Sequence, residues 1–227
     1  MSVLTVETEI TVAKAVFGSK IKMPIFVMIN KPSLTMNEFK RLLLMEAKYQ
    51  LSSEMMDRFV ATIETLELKR GDILVRSGEV NPHIYIVKEG ICAYTYMNGL
   101  DFRCSAFALP GSLILSSLSY YFDEPAFFQI EACCESTVMK VNRERFDALI
   151  AGSHEFARWI ASMAHQTLYY QEYKQMVING DAIERFKSLV EHRPEIIRNV
   201  SNKLIASYLG ITQQYLSMLK RRFYGKS

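Results

Sequence analysis

The spacing of apolar positions changes character twice along the chain. From Thr35 to about Ala61 it is helical, with Phe39, Leu42, Leu43 and Met45 on one face. Ser52 or Ser53 can cap a second helix that holds Met56, Phe59, Val60 and Ile63. From Glu64 to Asn142 the chain breaks into short β-branched and aromatic runs: TLEL, DILV, HIYIVKEG, ICAYTYM, FRCSAFA, FFQIEACC and TVMKV. Gly, Pro and Asn divide these runs, and Asn98-Gly99 between two of them is a hairpin signal. Many short strands with regular turns predict a sandwich or rolled barrel.

From about Arg143 to Val177 the helical period returns. Phe156, Ile160, Met163, Thr167 and Tyr170 recur at 4-3-4-3 spacing, with Ala157, Ala161, Ala164 and Leu168 beside them. Such a seam packs either on the chain's own barrel or on a second copy. Asn179-Gly180-Asp181 ends this helix, and Asp181 can cap the next. Ala182–Glu191 reads as a helix that His192-Arg193-Pro194 breaks. Asn202–Leu209 reads as a short helix, Gly210 as a sharp turn, and Thr212 as the cap of a helix running to about Arg222. Two short helices across a tight glycine turn predict a helix-turn-helix.

The distribution of charge bears on that last unit. The whole chain is only +3. From Gly180 onward, however, it carries nine Lys and Arg against four Asp and Glu, whereas the remainder carries 18 against 20. A basic tail on a mildly acidic body fits a nucleic-acid-binding module joined to something else. Gln213, Gln214 and Ser217 fall early on the outward face of the second helix. A glutamine amide can pair bidentately with adenine, which is worth about 1–3 kcal/mol of discrimination. Thr212, Lys220, Arg221 and Arg222 are placed to meet phosphates, which add affinity without reading sequence.

Other chemistry is thin. Cys92, Cys104, Cys133 and Cys134 form no CxxC pair and read as buried apolar residues of a reduced protein, with Cys133 and Cys134 on opposite faces of a strand. His83, His154, His165 and His192 are scattered, and neither an HxH pair nor a nucleophile–base constellation occurs. No cofactor or metal is expected, and an enzyme is not. The apolar stretch from Ile21 to Ile29 is far shorter than the roughly 20 residues that span a bilayer. Residues 1–34 read as an N-terminal extension: an added strand, a loose segment, or the result of an early start, with Met28 and Met36 as later candidates.

Four stretches carry a family resemblance: LKRGDILVRSGEVNPHIYIVKEG (68–90), FALPGS (107–112), DAIERFKSLVEHRPEIIRNV (181–200) and IASYLGIT (205–212). Through them the chain from about Met36 onward resembles the Crp/Fnr superfamily of bacterial transcription regulators, in particular its Bacteroidetes-type branch. The resemblance implies an α+β protein. Its parts would be a cyclic-nucleotide-binding-like β-roll with flanking helices over 35–150, a dimerisation helix over 151–179, and a winged helix-turn-helix over 180–227. It implies a cytoplasmic homodimer on double-stranded DNA, with RNA polymerase as a further partner and Gln213, Gln214 and Ser217 as base readers. Many members carry Glu and Arg where this chain has Gln214 and Met218, which implies a different DNA preference. An alternative expectation follows from the same departure: a sensor or interaction protein whose helix-turn-helix no longer binds DNA.

The resemblance also locates an effector region, GSLILSSLSYYFDEPAFFQIEA (111–132). Members that bind cyclic AMP carry a Gly-Glu pair for the ribose and an Arg-Ser pair for the phosphate. Here Leu115, Ser116 and Ser117 stand near the first position, and Ala126 and Phe127 at the second, with Phe128 following. Without the arginine a buried phosphate would lack its counter-charge. Cyclic AMP is therefore not the expected effector. The β-roll senses something of unassigned chemistry or nothing, and Tyr120, Tyr121, Phe127 and Phe128 would suit an apolar ligand or simply fill the core.

Overall fold

The computed structural model describes residues 33–178 and 181–224, without the side chains of residues 45, 46, 166 and 169–178. The expected extension 1–34 lies outside these bounds except for Ser33 and Leu34. Two helices open the described chain, α1 (Met36–Glu46) and α2 (Ser53–Val60). Thr35 caps α1 in a capping box with Glu38, and Ser52 rather than Ser53 caps α2.

Eight strands follow: β1 (Ile63–Leu68), β2 (Ile73–Val75), β3 (Ile84–Glu89), β4 (Cys92–Asn98), β5 (Asp101–Ala108), β6 (Leu113–Ile114), β7 (Gln129–Ala132) and β8 (Ser136–Val141). They form two four-stranded antiparallel sheets, ordered β1-β8-β3-β6 and β2-β7-β4-β5. Asn98 pairs with Asp101 across the two-residue turn Gly99-Leu100, where Gly99 has φ +63°. The interior between the sheets is filled by Leu74, Val75, Tyr85, Val87, Ala126, Ile130 and Val138. Cys133 and Cys134 lie in the bend after β7 and not in a strand; Cys133 N–H donates to the Ile91 carbonyl at 2.7 Å. None of the four cysteines is in a disulfide, and burial pushes the Cys92 thiol up to about 12.

A six-residue helix, α3 (Ser117–Phe122), lies between β6 and β7. After β8 come α4 (Arg143–Gly152) and α5 (His154–Ile178). The single helical stretch expected over 143–177 is thus broken at Ser153, whose backbone is extended (φ −145°, ψ 112°). Phe39, Leu43, Phe59, Phe146, Phe156 and Trp159 pack with Ile84, Ile86, Met139 and Val141. The rings of Phe59 and Trp159 meet at 5.5 Å, and those of Phe59 and Phe156 at 5.3 Å. The first sheet is therefore covered on both faces, and β3 is buried from Ile84 to Val87.

This core corrects part of the expected dimer seam. Phe156 and Met163 are buried in the chain's own core and do not face a second copy, while Ile160 packs against that core and is only half-buried. Thr167 is exposed and donates its hydroxyl to the Met163 carbonyl at 3.1 Å, and the side chain of Tyr170 is outside the description. Ala161, Ala164 and Leu168 are exposed on α5, as are His154, Arg158 and His165.

The C-terminal unit comprises α6 (Ala182–His192), α7 (Pro194–Asn199), α8 (Asn202–Leu209) and α9 (Gln213–Tyr224). Pro194 not only breaks α6 but starts α7, a position where its missing N–H costs nothing. Among the described residues no strand follows β8, so the expected wing has no strands there. No helix among them is long and apolar enough to cross a membrane.

Candidate nucleic-acid interface

Local chemistry sets the angle between α8 and α9. Ser201 caps α8 by accepting from Leu204 N–H. Gly210 ends it in the left-handed conformation (φ +65°, ψ 35°), which a residue with a Cβ adopts at a cost. The Ile211 N–H returns to the Ala206 carbonyl at 3.0 Å. Thr212 then caps α9: its hydroxyl accepts from Tyr215 N–H at 3.2 Å, and its carbonyl accepts from Leu216 N–H at 3.0 Å. Leu216 and Leu219 face inward, fully buried with Leu204, Ile205 and Ala206. α6 braces both helices through Phe186, which meets Phe223 at 5.2 Å, and through Arg185, whose Nε donates to the Leu209 carbonyl at 3.0 Å. Asp181 caps α6 in a capping box with Glu184.

The opposite face of α9 is open. Gln213 and Gln214 are exposed at its N-terminal end, and Arg221 and Arg222 near its C-terminal end. Gln214, Ser217 and Arg221 follow at three- and four-residue steps and share a face. Ser217 is half-buried and donates its hydroxyl back to the Gln213 carbonyl at 2.9 Å, which leaves its oxygen as an acceptor. Met218, 45% exposed, lies beside this face. Lys220 differs from the two arginines. Its Nζ donates to Asn202 Oδ1 at 2.7 Å, and burial pushes its pKa down. The sequence reading missed Asn202 in this role, because the contact crosses from one helix to the other.

The six residues of the expected effector region differ in burial and in partners. Ser116 is buried and caps α3 by accepting from Ser119 N–H at 3.3 Å, while Ser117 is exposed. Leu115 packs on the helical core. Ala126 is buried; its N–H donates to the Glu79 carbonyl at 3.0 Å, and its carbonyl accepts from Gly78 N–H at 2.8 Å. Phe127 is 65% exposed, and Phe128 is half-buried against Tyr94 at 5.2 Å. The segment is also pinned to α4. The Tyr120 hydroxyl bonds to Asp147, and Arg143 reaches Asp123 at 2.6 Å. A cavity of about 450 Å³ opens beside the ends of β1 and β3, lined by Glu67, Lys88, Glu89 and Thr137 among others, and none of the six residues lines it. Among the described residues no group of three or more His, Cys, Asp or Glu is placed to hold a metal ion.

The brace helix α8 also leans on the second sheet. Its Ser207 meets β5, Lys203 sits over the Phe102 ring at 4.3 Å, and the Tyr208 and Phe107 rings meet at 5.0 Å. Arg70, after β1, donates to the Asn199 carbonyl at 3.1 Å.

Comparison with known proteins accords with this geometry. Residues 65–153 match the family model of the cyclic nucleotide-binding domain. A search of the curated proteins finds no sequence match. Among solved structures, FixK2 from Bradyrhizobium japonicum is similar with a TM-score of 0.61 at 18% identity, over 72% of this chain and 85% of that one. The c-di-GMP-responsive global regulator CLP from Xanthomonas campestris gives 0.61 at 14% identity, over 77% and 92%. A CooA mutant from Carboxydothermus hydrogenoformans gives 0.53 at 14% identity, over 80% and 88%. At these identities the likeness is one of fold.

Proposed function

We infer that this chain, a Crp/Fnr-type protein by its cyclic nucleotide-binding domain and its fold, is a sequence-specific DNA-binding transcription regulator. The observation that carries the reading is the α8–Gly210–α9 arrangement. It exposes Gln213 and Gln214 at the start of a helix whose far end carries Arg221 and Arg222. In this reading residues 180–227 bind DNA and 35–150 form the sensor module. Gln213, Gln214 and Ser217 read base edges, while Thr212, Arg221, Arg222 and, in part, Lys220 meet phosphates. The effector is not cyclic AMP. The protein acts in the cytoplasm as a homodimer, together with RNA polymerase. Pairing through Ala161, Ala164 and Leu168 of α5 is supported by their exposure on a long helix.

The test is selection from a pool of random-sequence duplexes at low salt, followed by binding titrations across salt concentration. An enriched, pseudo-palindromic site is the expected result. A protein that enriches nothing is the sensor whose helix-turn-helix has lost DNA binding.

A further inference from the structure

β5 is the outer strand of its sheet, so one row of its backbone groups has no strand partner. The register of β5 against β4 shifts between Tyr94 and Thr95, which pair with Ala106 and Cys104 and leave Ser105 as an extra residue. Next to this bulge the side chain of Ser207 occupies the open edge. Ser207 Oγ accepts from Cys104 N–H at 2.8 Å and donates to the Phe102 carbonyl at 3.3 Å. An added strand would satisfy this donor and acceptor with its own backbone; here one hydroxyl does both. Lys203, one helical turn earlier, covers the Phe102 ring, and Cys104 and Cys133 enter the same core as Leu204, Ile205 and Leu216.

We propose that Ser207 is a positioning residue for DNA reading: it seats the brace helix on the β5 edge and so fixes the direction of the recognition helix relative to the β-roll. α9 is held on α8 by the Gly210 turn and by buried Leu216 and Leu219. Whatever orients α8 therefore orients Gln213 and Gln214. The contact also gives the β-roll a route to the helix-turn-helix through β5, apart from the route through α5. This proposal rests on the DNA-binding reading above.

The full-length protein reports the seating through Cys104, which is buried beneath α8 and 5% exposed. Alkylation of Cys104 by iodoacetamide, followed by peptide mass, is compared for the unaltered protein, Ser207→Ala and Ser207→Thr. Loss of both hydrogen bonds in Ser207→Ala should speed labelling by about tenfold, and Ser207→Thr, which keeps the hydroxyl, should label at the unaltered rate. On the duplex selected as above, Ser207→Ala should lose about tenfold in affinity with an unchanged salt slope, and Ser207→Thr should restore it. Unchanged labelling in Ser207→Ala overturns the seating. Faster labelling with unchanged DNA affinity overturns the positioning role. If the unaltered protein binds no duplex, the DNA-binding reading fails and the positioning role fails with it, while the labelling rates still decide the seating.

Discussion

Lys220 Nζ donates to Asn202 Oδ1 at 2.7 Å, so α9 is tied near its C-terminal end to the first turn of α8. That bond holds the half-buried Lys220 ammonium against α8 and uses one of its three N–H donors, whereas Arg221 and Arg222 stand exposed. Lys220→Ala should therefore cost about 1 kcal/mol in urea unfolding, the worth of one such hydrogen bond, and lower the salt slope of DNA binding only slightly. Arg221→Ala should leave stability unchanged and reduce the slope by about one. Equal slopes for Arg221→Ala and the unaltered protein would remove Arg221 from the phosphate set.

Gln213 and Gln214 should behave differently from the basic residues. Both are exposed and stand at the end of α9 that enters a groove in the proposed reading. Gln213→Ala or Gln214→Ala should change the bases preferred in selection, each costing about 1–3 kcal/mol at the base it reads, with the salt slope nearly unchanged. A variant that lost affinity equally on every sequence would have been wrongly placed among the base readers.

These two predictions rest on features that local sequence carries well. Gly210 and Thr212 signal the turn and the cap by their own chemistry, as Asn98-Gly99 does for the β4–β5 hairpin. Features that depend on distant partners were not legible. β6 is two residues long and exists only because Tyr85 and Ile86 offer it an edge. α7 was hidden because Pro194 signals a break as strongly as a start. The seam on α5 has the right spacing for a dimer, yet which surface takes Phe156 and Met163 depends on Phe39, Phe59 and Phe146, which come from three other helices. Ser207 looked like an ordinary helix residue because its partners, Phe102 and Cys104, lie more than 100 positions away.

The effector region makes a prediction about repair. The resemblance puts Ala126 at the arginine position of members that bind cyclic AMP, but its backbone is bonded to Gly78 and Glu79 and its side chain is buried. Ala126→Arg should therefore not create a cyclic AMP site. It should destabilise the fold by about 3 kcal/mol or more in urea, because it places an unpaired charge in the barrel interior. Calorimetry with cyclic AMP should show no binding heat for either protein. Stoichiometric binding by the unaltered chain would mean that the interior opens in solution.

Glu195 makes a prediction about pH. It lies in the first turn of α7 and is 7% exposed; burial pushes its carboxyl up, opposed by its own backbone N–H and by the charges of Arg193 and Arg198. Arg193 is 3.9 Å away, too far for a strong hydrogen bond. A carboxyl with a folded pKa above its unfolded value favours the fold in its protonated form. Its contribution is complete below the unfolded value, near 4.5, and is lost as pH rises through the higher folded value. At neutral pH the buried carboxylate is therefore a net cost, which glutamine of the same shape avoids. Glu195→Gln should raise the melting temperature by about 3 °C at pH 7.5 and leave it unchanged at pH 4. A destabilised Glu195→Gln at pH 7.5 would show that the attraction of Arg193 and Arg198 outweighs burial.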